Sequence, residues 1–214
     1  MIKITEKLAE LIGAIIGDGC IRYKPKIGQY YVEIVGNIRD EKHYFDYLKK
    51  IILNELGLDA KVCERERGLR MKIYSKVFVE FLTNVMNIPF NNTKCQNVVI
   101  PKQIQARLNL LTNCIRGIVD TYGSLFLTHK SHRANYPIIE ISSTSKNLAY
   151  QLREILGSKF RIGFRSFDRK NFHRLYVLSI NGETQVDNWY KTIGFSNDRN
   201  IMRYKKLKYG DAGI

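Results

Sequence analysis

The chain has 214 residues, 44% of them hydrophobic, and carries 35 Lys and Arg against 20 Asp and Glu, a formal charge of +15. This length and apolar content support a folded core and argue against disorder, while no apolar run approaches the ~20 residues that span a bilayer. So large a basic excess points to a polyanionic partner, nucleic acid before an anionic membrane surface.

The N-terminal MIKITEKLAE carries charges where a secretion signal needs its apolar core, so a cytoplasmic protein is expected. Cys20, Cys63, Cys95 and Cys114 form no C-x-x-C pair, which argues against a zinc ribbon or disulfide framework and predicts reduced thiols. In chain order, ELIGAIIGDG reads as a short apolar helix with Gly13 and Gly17 four residues apart. The strand pair CIRYKPK and QYYVEIV follows. A helix over RDEKHYFDYLKKIILNELG comes next, with Tyr44, Tyr47, Leu48, Ile51, Ile52 and Leu56 at helical spacing, Asp40 as its cap and Gly57 as its stop. AKVCERER and LRMKIYS form a second strand pair, and KVFVEFLTNVMNI a further helix.

The order then repeats. CIRGIVDTYG is an apolar helix with Gly117 and Thr121 four apart, and SLFLTHK with YPIIEIS forms a hairpin whose turn carries His129 and His132. TSKNLAYQLREILG is a helix capped by Ser145 or Thr144 and stopped by Gly157, FRIGFRSF and RLYVLSI are strands, and ETQVDNWYKTIGF is a helix with Trp189 in the core. RNIMRYKKLKYG adds a short basic helix. These elements predict an α+β fold of two pseudo-symmetric αββαββα units, residues 1–105 and 106–214, each with a four-stranded antiparallel sheet covered by helices on one face.

Strand alternation assigns the other face of the sheets. Arg22, Lys24 and Lys26 share one side of the first strand, followed by Gln29, Tyr31 and Glu33 on the next. Lys61, Arg65 and Arg67 align on the third, and Arg70, Lys72 and Tyr74 oppose Leu69, Met71 and Ile73 on the fourth. The second unit offers Arg161 and Arg165. Such a face can lie in a DNA major groove, with Arg and Lys reading guanine, Gln reading adenine and the remainder holding phosphate.

Small residues spaced by four let helix backbones approach closely, so the two motif helices are expected to pair about a pseudo-two-fold axis, with Asp18 beside Tyr122 at its base. A carboxylate at a helix C-terminus is disfavoured by ~0.3–1 kcal/mol, which makes sense beside a cation. Mg²⁺ takes carboxylate and carbonyl oxygens, here Asp18 and the carbonyl of Gly17. None of the four histidines has a Ser or Cys partner in a recognisable arrangement, which argues against a nucleophilic hydrolase.

In LIGAIIGDG and IRGIVDTYG the chain resembles the monomeric, two-motif LAGLIDADG homing endonucleases of the archaeal intron-encoded type. NNTKCQNVVIPKQI and IGFSNDRNIMRYKKL extend the resemblance over nearly the whole chain. It implies a monomer that sets a saddle of two sheets on a long asymmetric double-stranded DNA site and hydrolyses each strand with Mg²⁺ at the motif helix ends. It implies Asp18 as the metal-binding acid, the backbone carbonyls of Gly17 and Thr121 as further donors, and Lys94 and Arg199 as basic residues near the scissile phosphates. The second acid of the family falls at Tyr122, whose phenol, with an ordinary pKa of ~10, is a poor Mg²⁺ ligand. Asp120 faces the opposite side of the helix. Three readings stay open: a decayed endonuclease that still binds DNA, an enzyme that nicks or cuts slowly with Asp18 alone, or a chain altered to block cutting. The same scaffold also implies a rival function that needs no metal acids, an RNA maturase with intron RNA as its partner. No splicing-junction residues flank the chain, which favours an intron-encoded protein over an intein.

Overall fold

The computed structural model describes residues 2–65, 68–130 and 133–210; Arg67 and His132 lie outside the described residues, as does the side chain of Arg65. The first half runs α1 (Glu6–Ile16), β1 (Gly19–Lys24), β2 (Gln29–Asn37), α2 (Lys42–Leu56), β3 (Lys61–Arg65), β4 (Gly68–Tyr74) and α3 (Lys76–Glu80), which continues as a π turn over Phe81–Val85. Two single-turn helices, α4 (Lys94–Asn97) and α5 (Lys102–Gln105), lead to α6 (Leu108–Tyr122). The order then recurs as β5 (Gly123–Lys130), β6 (Arg133–Ser143), α7 (Lys146–Gly157), β7 (Ile162–Arg169), β8 (Phe172–Asn181) and α8 (Glu183–Thr192), and the described chain closes with α9 (Asp198–Tyr209).

The strands form two four-stranded antiparallel sheets with matching orders, β1-β2-β4-β3 and β5-β6-β8-β7. In each, alternate residues enter the core: Ile21, Val32, Ile34, Met71 and Ile73 in the first sheet, and Leu125, Ile139, Ile141, Leu178 and Ile180 in the second. One contiguous apolar cluster joins the halves, and Trp189 lies fully buried within it, in ring contact with Phe160 and Phe195.

α1 and α6 form the seam. They run parallel, and their small residues sit where backbone meets backbone. A Cβ on Gly13 would collide with the Cys114 carbonyl, one on Gly117 with the Glu10 carbonyl, and one on Gly17 with the Thr121 hydroxyl. The helix pair therefore forms by the close approach that four-residue spacing predicts, and both helices end side by side. Thr5 starts α1, its hydroxyl accepting from the Leu8 amide at 3.1 Å. Ser145 starts α7 in the same way, accepting from Leu148 at 3.2 Å. Gly57 ends α2 at φ 64°, a conformation that costs glycine nothing.

Four local expectations are corrected. Lys26 is not on a strand: β1 stops at Lys24, and Pro25 fixes φ and removes a donor, so Pro25–Ile27 makes a 3₁₀ turn closed by Gly28 at φ 64°. The cap of α2 is Glu41 rather than Asp40, and its carboxylate accepts from the Asn37 amide at 2.7 Å instead of from the helix. Gly157 is the last residue of α7, and Ser158 follows as its cap. Arg161 stands just before β7, which starts at Ile162, whereas the basic tail forms the expected helix, α9, of 12 residues.

Candidate nucleic-acid interface and the cleft at the helix ends

The register fixes what the first sheet presents away from its helices. Arg22 stands opposite Tyr31, Lys24 opposite Gln29, Glu33 opposite Lys72, and Lys61 opposite Lys72 on its other side. Tyr74 faces Tyr31, and Arg70 lies between Val35 and Cys63. Glu33 is the one acid in these pairings, 3.6 Å from Arg70 and 3.7 Å from Lys72. The aromatics carry the cations: Lys72 lies 5.2 Å from the Tyr31 ring centre and Lys61 6.0 Å from that of Tyr74. Arg22, Lys24, Gln29, Tyr31, Lys61, Arg70, Lys72 and Tyr74 thus meet on one side of the first sheet. In the second sheet Arg165 lies on the corresponding side and bonds Glu140 at 2.7 Å. Arg161 falls just before β7, exposed, its amide bound to Gln185.

At the paired helix ends, Gly17, Asp18, Lys94 and Tyr122 line one cleft of about 240 Å³ together with Gly19, Cys20, Asn91 and Cys95. Asp18 reaches solvent, yet crowding around its carboxyl, followed by repulsion from Glu41, pushes its pKa up to about 6 against the pull of Lys94 and Arg199. Lys94 is only 4% exposed. Its ammonium donates to the carbonyls of Ile16 and Gly17, each at 2.8 Å, and so ties down the C-terminal end of α1. Burial lowers its pKa to about 8, with Asp18 the leading opposing influence. The Tyr122 ring centre lies 5.9 Å from the same nitrogen, and burial, then Asp18, raises its phenol to about 12. Tyr122 is therefore neutral at ordinary pH.

The end of α6 is held by a different set. Asn197, fully buried, donates to the Asp120 carbonyl at 2.9 Å and to Glu41 at 2.8 Å. Arg199 bonds the Gly123 carbonyl at 3.2 Å and pairs with Glu41 at 3.3 Å. The Thr121 hydroxyl turns back onto its own helix, donating to the Gly117 carbonyl at 3.0 Å. Glu41 and Asn197 were not singled out from the sequence: Glu41 stood beside the expected cap, and nothing in a local pattern places it against residues more than 150 positions away.

The donor set does not suit a pair of divalent metals. Among the described residues Asp18 is the only carboxylate lining the cleft, the Gly17 carbonyl already accepts an ammonium proton, and Tyr122 is a neutral phenol. Among the described residues no three His, Cys, Asp or Glu side chains gather as a metal site. A larger open cleft of about 880 Å³ lies at the far end of the second sheet, where both of its acids, Glu183 and Asp187, are paired with Lys208 at 2.9 and 2.5 Å. Among the described residues no helix is long and apolar enough to cross a membrane.

Two antiparallel sheets carried on a parallel, glycine-packed helix pair define a LAGLIDADG-type fold. The family profile of the WhiA LAGLIDADG-like domain matches residues 8–105 and 111–200, and the chain belongs to that family. Among solved structures it is similar to the homing endonuclease I-DmoI in complex with DNA and Mn, at 18% identity and TM-score 0.61, over 89% of this chain and 97% of that one. I-WcaI bound to its DNA recognition sequence matches at 13% identity and TM-score 0.61, over 92% and 84% of the respective chains. Full-length DUF199/WhiA from Thermatoga maritima matches at 16% identity and TM-score 0.57, over 97% of this chain and 58% of that one. Comparison with curated protein sequences returns no match.

Proposed function

We propose that this chain is a sequence-specific, double-stranded-DNA-binding monomer built from units 1–105 and 106–214, whose helix-end cleft does not support Mg²⁺-dependent cleavage of both strands. The one-sided basic and aromatic face of the first sheet supports the binding, with Arg22, Lys24, Lys61, Arg70 and Lys72 as the principal contacts and Gln29, Tyr31 and Tyr74 between them. The loss of cleavage rests on Lys94 bonding the Gly17 carbonyl at 2.8 Å with Tyr122 in place of an acid. In this reading Lys94, Asn197 and Arg199 hold the two helix ends, and Asp18 is the remnant of a metal-binding pair. Similar chains bind DNA in crystals with Mn or Ca, and the solvent-reaching Asp18 favours one second reading, a nickase that uses a single metal.

Selection from a randomised duplex library, in Mg²⁺ and in EDTA, tests both. The chain and its Tyr122→Asp variant are expected to retain the same duplex in EDTA, with the chain itself leaving at least one strand intact in Mg²⁺. Cleavage of both strands by the unaltered chain would overturn the proposal, and cleavage of one strand would establish the nickase. Tighter binding to structured intron RNA than to any selected duplex would point to a maturase.

A further inference from the structure

The two sheets share a topology but not a chemistry. On the first, the face turned away from the helices carries Arg22, Lys24, Lys61, Arg70 and Lys72, offset by Glu33 alone in the register pairs. On the second, the corresponding face pairs Phe126 with Ile138, Phe167 with Leu175, and places Val177 between Ser142 and Arg165. Phe167 is 43% exposed, and Phe126, Ile138 and Leu175 all reach solvent in part. Among the described residues Arg161 is exposed beside this face, and Lys130 lies 5.1 Å from the Tyr136 ring centre. Arg165 is bonded to Glu140 at 2.7 Å, while Arg169, beyond a bulge, bonds the His173 carbonyl at 3.1 Å and lies 5.5 Å from the Phe172 ring centre. Both sheets leave the seam at the same level, β1 directly after α1 and β5 directly after α6, so the two faces adjoin at the helix ends.

A duplex lying along the first face would continue onto a surface that presents two apolar pairs, Phe126 with Ile138 and Phe167 with Leu175, separated by polar positions such as Glu140, Ser142 and Ser179. The one base-edge group in the major groove that rewards apolar contact is the thymine C5-methyl, whereas guanine edges reward Arg and Lys. We propose that the two half-sites are read by different chemistry: the half under the first sheet through guanine edges and phosphates, and the half under the second through thymine methyl groups packed on Phe126, Ile138 and Phe167. This rests on the reading of both sheets as facing duplex DNA, and adds which bases each half selects.

The test uses the full chain and the duplex retained from the library. An iron chelate attached to Cys63, exposed on the first sheet, identifies by strand cleavage which half lies under that sheet. Thymine is then replaced by deoxyuridine, and guanine by 7-deazaguanine, one half at a time. Deoxyuridine in the half under the second sheet is expected to weaken binding about fourfold per contacted base, the value of one buried methyl group, and to have no effect in the other half. Deazaguanine is expected to show the reverse. Ile138→Ser should remove the deoxyuridine effect at the base packed on Ile138 and leave it at the base packed on Phe167, with thermal melting confirming that the variant folds. Insensitivity of the second half to deoxyuridine, or protection of the duplex that stops at its centre, would overturn the inference while leaving DNA binding in place. The second outcome would mark that face as a seat for protein. Retention of no duplex at all would overturn the DNA reading, and this inference with it.

Discussion

Asp120 lies two residues before the end of α6, fully buried, and its carboxylate accepts from the Ser196 amide at 2.6 Å and the Asn200 amide nitrogen at 3.1 Å. Burial outweighs these donors and raises its pKa to about 7, with Glu10 adding repulsion. The folded state thus holds a proton on Asp120 that the unfolded chain releases near pH 4, so this residue's contribution to stability is fully present below pH 4 and is lost as pH rises to about 7. At ~1.36 kcal/mol per pH unit the difference is up to about 4 kcal/mol. Urea denaturation across this range is expected to show a steeper decline for the chain than for Asp120→Asn. The sequence indicated that Asp120 faces away from the cleft, because two helical residues turn the side chain around. It did not indicate where Lys94 goes. A lysine in a polar loop gives no local sign that its nitrogen will meet carbonyls 77 and 78 positions earlier, and the same holds for Glu41 and Asn197.

At the level of elements, the α1–α6 seam is the most demanding contact in the fold, since the atoms met by added methyl groups at Gly13 and Gly117 are backbone. Gly13→Ala and Gly117→Ala are each expected to lower the unfolding free energy by roughly 3 kcal/mol, the upper part of the usual overpacking range. Gly157→Ala, in the last turn of α7 with open space around it, should instead raise it by about 0.5–1 kcal/mol. Equilibrium denaturation of the three variants checks the contrast. This seam was legible because small residues at four-residue spacing leave a periodic mark, and the sheet faces were legible because alternation leaves another. Lys26 was misplaced because a two-residue period runs on in the sequence past a proline that ends the strand in space. The short helices α4 and α5 carry too few residues to show any period.

For the whole molecule, a charge of +15 makes the proposed association with DNA strongly dependent on salt. Removing one phosphate-contacting cation, as in Lys24→Ala, is expected to reduce the slope of log affinity against log salt by about 0.9, while Phe167→Ser on the second sheet leaves that slope unchanged. Fluorescence anisotropy titrations at several salt concentrations separate the two.

The parallel helix pair also acts as a ruler. Glycine-to-carbonyl contact along the seam leaves no slack between the halves, so in the proposed complex the spacing between the two sheet faces is set by the protein and not by the DNA. One base pair inserted at the centre of the bound site would turn its halves about 34° relative to each other and move them about 3.4 Å apart. A chain with a flexible join would tolerate that insertion. With this seam, the inserted duplex is expected to keep the contacts of one sheet only, and its affinity should fall to that of an isolated half-site in a gel-shift titration.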